Sequence, residues 1–132
     1  MRRRKPDRPF RPGRFAYEGL ERLLHERARL GIMASLANHP DGLVFSELKR
    51  LCALTDGNLS RHIEILRDAG LIEVWKGVDN RRPLTICRVS SEGRHRFLGY
   101  LEELAQVIRD SMPSASRRFD RPPDLPAGFQ PI

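Results

Sequence analysis

Apolar residues recur at helical spacing twice near the start of the chain, first as Leu20, Leu23 and Leu24, then as Ala28, Ile32 and Leu36. The spacing predicts helical turns over about 18–24 and again over about 27–38. His39-Pro-Asp-Gly42 closes the region with turn residues. Leu43-Val44-Phe45 reads as a short strand. Ser46 is a candidate N-cap for a short helix over about 47–53, with Leu48, Leu51 and Cys52 turned inward.

The most informative stretch runs from Leu54 to Gly70. Thr55 suits an N-cap, and Asp56 suits the positive end of a helix. Leu54 and Leu59 stand at the two positions of a hydrophobic staple. Leu59, Ile63 and Leu66 form an i, i+4, i+7 stripe, and Gly70 is placed to stop the helix. This predicts one helix of about 14 residues with a single buried face. A strand over 71–76 follows, with Ile72 and Val74 alternating against Glu73 and Trp75. A polar turn spans 77–83, and the return strand spans 84–89 with Thr85, Cys87 and Val89 on one face. Ser90 can cap a last helix reaching about Met112. Within it Phe97, Leu101, Leu104 and Ile108 recur at 4-3-4 spacing, widened by Leu98, Ala105 and Met112.

Charge changes this picture only after it is divided. The 132 residues hold 24 Lys+Arg against 17 Asp+Glu, a net +7. Residues 1–14 hold seven basic residues, one acid and three prolines, and residues 113–132 are rich in proline. Both read as tails, because neither can bury enough apolar surface to offset its ordering entropy. Residues 15–112, the expected folded domain, hold 14 basic and 14 acidic residues and are neutral. The basicity therefore belongs to the arm, and where the domain's charges lie decides what it binds. Cys52 and Cys87 form no CxxC pair, and no apolar run follows the basic start or reaches membrane-spanning length. The expectation is a cytoplasmic protein with reduced thiols and no membrane association.

The ordered set Arg29-Leu-Gly-Ile-Met33, Phe45-Ser-Glu-Leu48, Leu54-Thr-Asp-Gly-Asn-Leu-Ser60, Leu66-Arg-Asp-Ala-Gly-Leu71, Arg82-Pro83 and Ser91-Glu-Gly-Arg94 resembles the small winged helix-turn-helix proteins grouped near the MarR and ArsR regulators. The likeness covers about residues 18–110. It implies a mainly α fold with a small β-hairpin wing (α+β) and an added C-terminal dimerisation helix. Arg27 departs from the pattern, standing where relatives often carry a proline, so the first helical region reads as either one helix or two.

The resemblance implies a DNA-binding transcriptional regulator without catalytic activity. A helix over about 55–69 would enter the major groove, and a wing over about 76–83 would reach the backbone or minor groove. The outward residues of the helix are Thr55, Asp56, Gly57, Asn58, Ser60, Arg61, Glu64 and Arg67; those of the wing are Lys76, Asp79, Arg81 and Arg82. Asn58 suits adenine or a phosphate, Arg61 suits guanine, and Ser60 can donate to a phosphate. Gly57 either lets a bare backbone approach phosphate or sits where a first turn tolerates glycine cheaply. Asp79 is expected to orient Arg81 or Arg82. Leu20, Leu23, Leu24, Phe97, Leu101, Leu104 and Ile108 are the expected homodimer interface, which predicts a palindromic double-stranded DNA site.

No cofactor or metal is expected. His25, His39, His62 and His95 are scattered, and Val44-Phe45-Ser46 stands where ArsR-type sensors often place a cysteine pair. Ser60 and His62 face different sides of their helix, so they are no nucleophile–base pair. Cys52 and Cys87 read as small core residues, with a thiol switch as the alternative. A small-molecule effector is compatible with the family, but no residue names one. Trp75 falls on the outer face of the hairpin with Leu84 and Ile86. That patch either contacts a dimer mate, a tail or another protein, or is covered by its own cross-strand neighbours. The alternative function is a protein-interaction module that keeps the fold but has lost specific DNA binding.

Overall fold

The structure is a computed structural model that describes residues 11–112 and 123–132. Most of the basic arm (residues 1–10) and half of the expected C-terminal tail (residues 113–122) lie outside the described residues. Along the chain run α1 (Arg27–Ala37), β1 (Leu43–Val44), α2 (Phe45–Cys52), α3 (Asp56–Asp68), β2 (Ile72–Asp79), β3 (Arg82–Val89) and α4 (Ser91–Ser111). The three strands form one antiparallel sheet in the order β1-β3-β2. This is the expected winged helix-turn-helix, mainly α with a small sheet.

The core follows the apolar stripes. Ile32, Met33 and Leu36 of α1, Leu48 of α2, and Leu59, Ile63 and Leu66 of α3 meet Ile72, Cys87 and Val89 of the sheet and Phe97 and Tyr100 of α4. Each large aliphatic or aromatic side chain there contributes about 1.5–3 kcal/mol through removal from water. The Thr55 hydroxyl caps α3 by accepting from the Asn58 N–H at 3.2 Å. Helices α2 and α3 close alike. The Leu54 N–H bonds the Lys49 carbonyl at 3.2 Å, and the Leu71 N–H bonds the Leu66 carbonyl at 3.0 Å. The left-handed residue is Ala53 in one case and Gly70 in the other, with φ of 52° and 78°. Ser90 caps α4 as expected, accepting from Gly93 N–H at 2.9 Å.

Four local expectations are corrected. Residues 18–24 do not form an α-helix. They make successive turns closed by Leu20 N–H to Tyr17 carbonyl (2.9 Å) and Leu24 N–H to Glu21 carbonyl (3.1 Å). The cause is tertiary, because this segment is a strap tied along α4. Tyr17 donates to Asp110 at 2.7 Å, Arg96 donates to Glu21 at 2.6 Å, and His25 Nδ1 meets the Tyr100 hydroxyl at 2.8 Å. The first helical region is thus a strap followed by one helix, which Glu26 caps.

Ser46 is not an N-cap. Val44 pairs with Ile86 in the sheet and passes directly into α2, so the cap position carries no side-chain hydrogen bond. The polar turn over 77–83 is shorter than expected. Strand pairing continues to Asp79 opposite Arg82, leaving only Asn80 and Arg81 as the turn. Both have positive φ, 48° and 65°, as a two-residue hairpin of the strands' own twist requires.

The fourth concerns α2, where Leu51, expected inward, is 46% exposed. Of the residues expected at a dimer face, part are already used within the chain. Leu24 and Phe97 are buried in this chain's own core, and Leu20, Leu23 and Leu104 pack against it. The strap covers part of α4 that the sequence leaves without a partner. Leu101 and Ile108 stay exposed, together with Leu98 and Met112.

Two glycines of α4 differ in kind. A Cβ on Gly93 would overlap the Leu71 carbonyl, whereas a Cβ on Gly99 would meet nothing within 4 Å. In urea denaturation, Gly93→Ala is expected to destabilise by more than about 2 kcal/mol. Gly99→Ala is expected to stabilise by about 0.5–1 kcal/mol.

Candidate nucleic-acid interface

Burial of Leu59, Ile63 and Leu66 turns Gly57, Asn58, Ser60, Arg61, Glu64 and Arg67 to solvent. The first turn of α3 is pinned from below. Lys49 of α2 pairs with Asp56 at 2.9 Å, so this carboxylate is engaged by its own protein. The Thr55 hydroxyl is likewise committed to its cap. Among the described residues, Arg61 makes no ion pair, and its guanidinium is exposed on the outer face. The Arg67 guanidinium rests 3.4 Å from Asp68, a neighbouring and equally exposed carboxylate. A pair of this kind is worth little in water.

Between α3 and the inner face of the hairpin lies an open groove of ≈ 390 Å³. Phe45, Ile63 and Val74 form its floor, while Ser60, Glu64 and Arg67 of α3 face Lys76 and Thr85 of the sheet. Lys76 and Thr85 are cross-strand partners, which explains why they reach the groove together. The structure thus gathers four of the sequence-predicted residues, Ser60, Glu64, Arg67 and Lys76, into one place. Thr85 was legible as an inward strand residue but not as a groove residue. Lys49 was missed, because its role depends on how α2 crosses the start of α3.

Asp79, Arg81 and Arg82 stand apart at the hairpin tip, all exposed. Asp79 lies opposite Arg82 in register, but among the described residues it forms no ion pair with Arg81 or Arg82. The expected orienting aspartate is therefore absent from this arrangement. A Cβ added at Gly57 would meet nothing within 4 Å, so internal packing does not require a glycine there.

On the opposite face of the hairpin, Trp75 is 55% exposed. Ile86 is its cross-strand partner, and the Arg88 guanidinium sits 5.3 Å from its ring centroid while also bridging Glu73. The patch is covered in part by its neighbours.

Among the described residues no His, Cys, Asp or Glu cluster of metal-binding form occurs, and no helix is long and apolar enough to cross a membrane. The two thiols are free and differ in setting. Burial pushes the Cys87 thiol up to about 11, while Cys52 is half-buried near the Ser35 hydroxyl.

This geometry is that of a winged helix DNA-binding domain, and the model of that family matches residues 28–108. The chain belongs to this family of winged helix DNA-binding domains. It is 36% identical over 66 residues to an uncharacterised protein of Methanocaldococcus jannaschii, covering 50% of this chain and 72% of that protein. Its fold is similar to the transcriptional regulator homologue of Pyrococcus horikoshii OT3. The TM-score there is 0.66 at 30% identity, over 72% of this chain and 94% of that one. It is also similar in fold to a MarR-family transcriptional regulator of Streptomyces coelicolor solved in complex with DNA. In that case the TM-score is 0.51 at 19% identity, over 74% and 70% of the two chains.

The difference between the thiols gives a direct check. Iodoacetamide at about pH 8 should alkylate Cys52 and spare Cys87, because only the thiolate reacts. Peptide mass mapping should show both modified once the protein is unfolded.

Proposed function

We propose that this chain is a dimeric transcriptional regulator that binds double-stranded DNA sequence-specifically, with α3 in the major groove and the hairpin tip on the backbone or minor groove. The observation that carries this reading is the groove that brings Ser60, Arg67, Lys76 and Thr85 together beside the exposed start of α3. Cations and hydroxyls along such a groove suit the sugar–phosphate backbone that lies between a major groove filled by a helix and the neighbouring minor groove. Arg61 and Asn58 then face base edges, and Arg81 and Arg82 face the adjacent backbone. That a protein of similar fold, the Streptomyces coelicolor regulator, is solved in complex with DNA is in keeping with this reading.

Dimerisation uses what the strap leaves open on α4, namely Leu98, Leu101, Ile108 and Met112. Two such chains related by a twofold axis require a palindromic site with half-sites about one helical turn apart. An apolar cleft of ≈ 360 Å³ lined by Ala37, Pro40, Val89, Phe97, Leu98 and Leu101, with Arg94 at its edge, is the place we assign to a small-molecule effector. The setting is cytoplasmic, on the nucleoid.

The exposed Trp75 favours a second reading, in which the outer hairpin face binds another protein. DNA selection from a random-sequence pool separates the two readings, because a pure interaction module enriches no sequence. Under the leading reading, affinity falls steeply with salt through counterion release. Arg61→Ala should relax preference at one base position by about 1–3 kcal/mol, and Arg82→Ala should weaken all sequences alike. Gly57→Ala should raise stability while lowering affinity, since an added methyl blocks backbone approach to phosphate. Ile108→Glu should shift sedimentation toward the monomer.

A further inference from the structure

The strap that runs along α4 does not end there. It leads into Glu26, whose carboxylate caps α1 by accepting from the N–H groups of Ala28 (3.1 Å) and Arg29 (2.8 Å). Arg29 then bridges two elements. Its Nε donates to the Leu23 carbonyl of the strap at 2.6 Å, and its Nη1 lies 3.2 Å from Nδ1 of His62 in α3. His62 is the one buried polar side chain of the core among the described residues, 6% exposed, on the side of α3 opposite the groove. A guanidinium has donors only, so Nδ1 must offer a lone pair. His62 is therefore neutral in this arrangement, with its proton on Nε2. Glu26 Oε2 stands 3.8 Å from the same Nδ1, beyond hydrogen-bond reach but the nearest acceptor.

We infer that Glu26, Arg29 and His62 are positioning residues for the DNA-reading helix, and that a proton on His62 Nδ1 exchanges Arg29 for Glu26, loosens α3 from the strap and weakens DNA binding in acid. The inference rests on the DNA-binding reading above. The only covalent change is the Nδ1–H bond formed on protonation; otherwise only hydrogen bonds change. The proton comes from solvent, Nδ1 becomes a donor, and the Arg29 N–H must turn away. Glu26 cannot take the new hydrogen bond without shifting from the cap of α1, so the exchange is felt at both ends of the strap.

The charged groups acting on His62 are Glu26 before α1, Arg29 on α1 and Arg61 on its own helix. Burial disfavours the charged ring most, Glu26 favours it, and Arg29 and Arg61 disfavour it. The balance lies below the ordinary histidine value. At Glu26, burial opposes ionisation, but the two N–H donors and the charge of Arg29 hold the carboxyl below its ordinary range. It thus stays ionised and able to accept a hydrogen bond from the protonated Nδ1. With the folded value below the unfolded one, the stabilising contribution of neutral His62 is complete above about pH 6.5 and is lost as pH falls through the folded value. The sign is diagnostic, since a general gain of positive charge on the protein in acid would tighten binding to phosphate instead.

The test uses the full chain and the duplex recovered by selection from random-sequence DNA at neutral pH. Affinity is measured by fluorescence anisotropy at constant ionic strength between about pH 7.5 and about pH 5.5. The wild type should lose roughly five- to tenfold. His62→Gln keeps an acceptor for Arg29 but does not titrate. It should match the wild type at the upper pH and change by less than about twofold across the range. A parallel NMR titration of the wild type needs neither variant nor DNA, and the His62 ring and the α3 amides should titrate together. Equal acid responses in the wild type and His62→Gln overturn the inference, as does tighter wild-type binding in acid. So does a His62 titration that leaves the α3 amides unmoved. If selection recovers no duplex, the DNA reading fails while the NMR titration still decides whether the three residues position α3.

Discussion

The position of the hairpin relative to α3 depends on one joint. The Leu71 carbonyl accepts from the Ser90 N–H at 3.0 Å, and the Ser90 hydroxyl donates to the Gly70 carbonyl at 2.6 Å. Gly93, without a side chain, lets α4 lie directly on the Leu71 backbone. Arg96 adds a bond to the Ala69 carbonyl at 3.4 Å. The end of α3, both ends of the hairpin and the start of α4 are thus fastened at one point. The groove between α3 and β2 keeps its width because its two walls share this base. Residues 71–90 leave and return within a few ångströms; pairing with β1 and core packing hold the lower half of the hairpin, and only its outer half is free.

Much of this fold was legible in the residues. Thr55 as a cap, Gly70 as a stop and Ser90 as a second cap all act through local hydrogen bonds that sequence neighbours satisfy. The stripe of Leu59, Ile63 and Leu66 was legible for the same reason, since helical geometry alone puts those residues on one face. What was not legible depends on distant partners. Leu20, Leu23 and Leu24 have helical spacing, yet ties from Tyr17, Glu21 and His25 to α4 draw the segment into turns. The pattern of outward and inward residues leaves His62 unassigned, and it is buried in the core where Arg29 brings a donor to it.

Of the candidate interface, the apolar pattern correctly separated outward from inward positions on α3. It could not show that Ser60, Glu64, Arg67 and Lys76 share a groove, because that depends on where β2 returns after Gly70. Nor could it show that Asp56 is held by Lys49 or that Asp79 lacks an arginine partner among the described residues. Net charge was the least informative guide. The folded part is neutral overall, and what distinguishes the groove side is the placement of its cations along one edge of α3 and the sheet.

The same joint makes the chain unequally tolerant of changes in length. Residues added between Asn80 and Arg81 would extend the free end of the hairpin and leave its root, the groove and the core where they are. Loop-closure entropy grows only slowly with such growth. A single residue inserted between Asp68 and Gly93 but outside the tip would shift strand register or carry Gly93 off the Leu71 carbonyl, putting a side chain where none fits. Natural variation in hairpin length should therefore collect at the tip, and the reach of the hairpin can diverge between relatives without any change in how α3 is held.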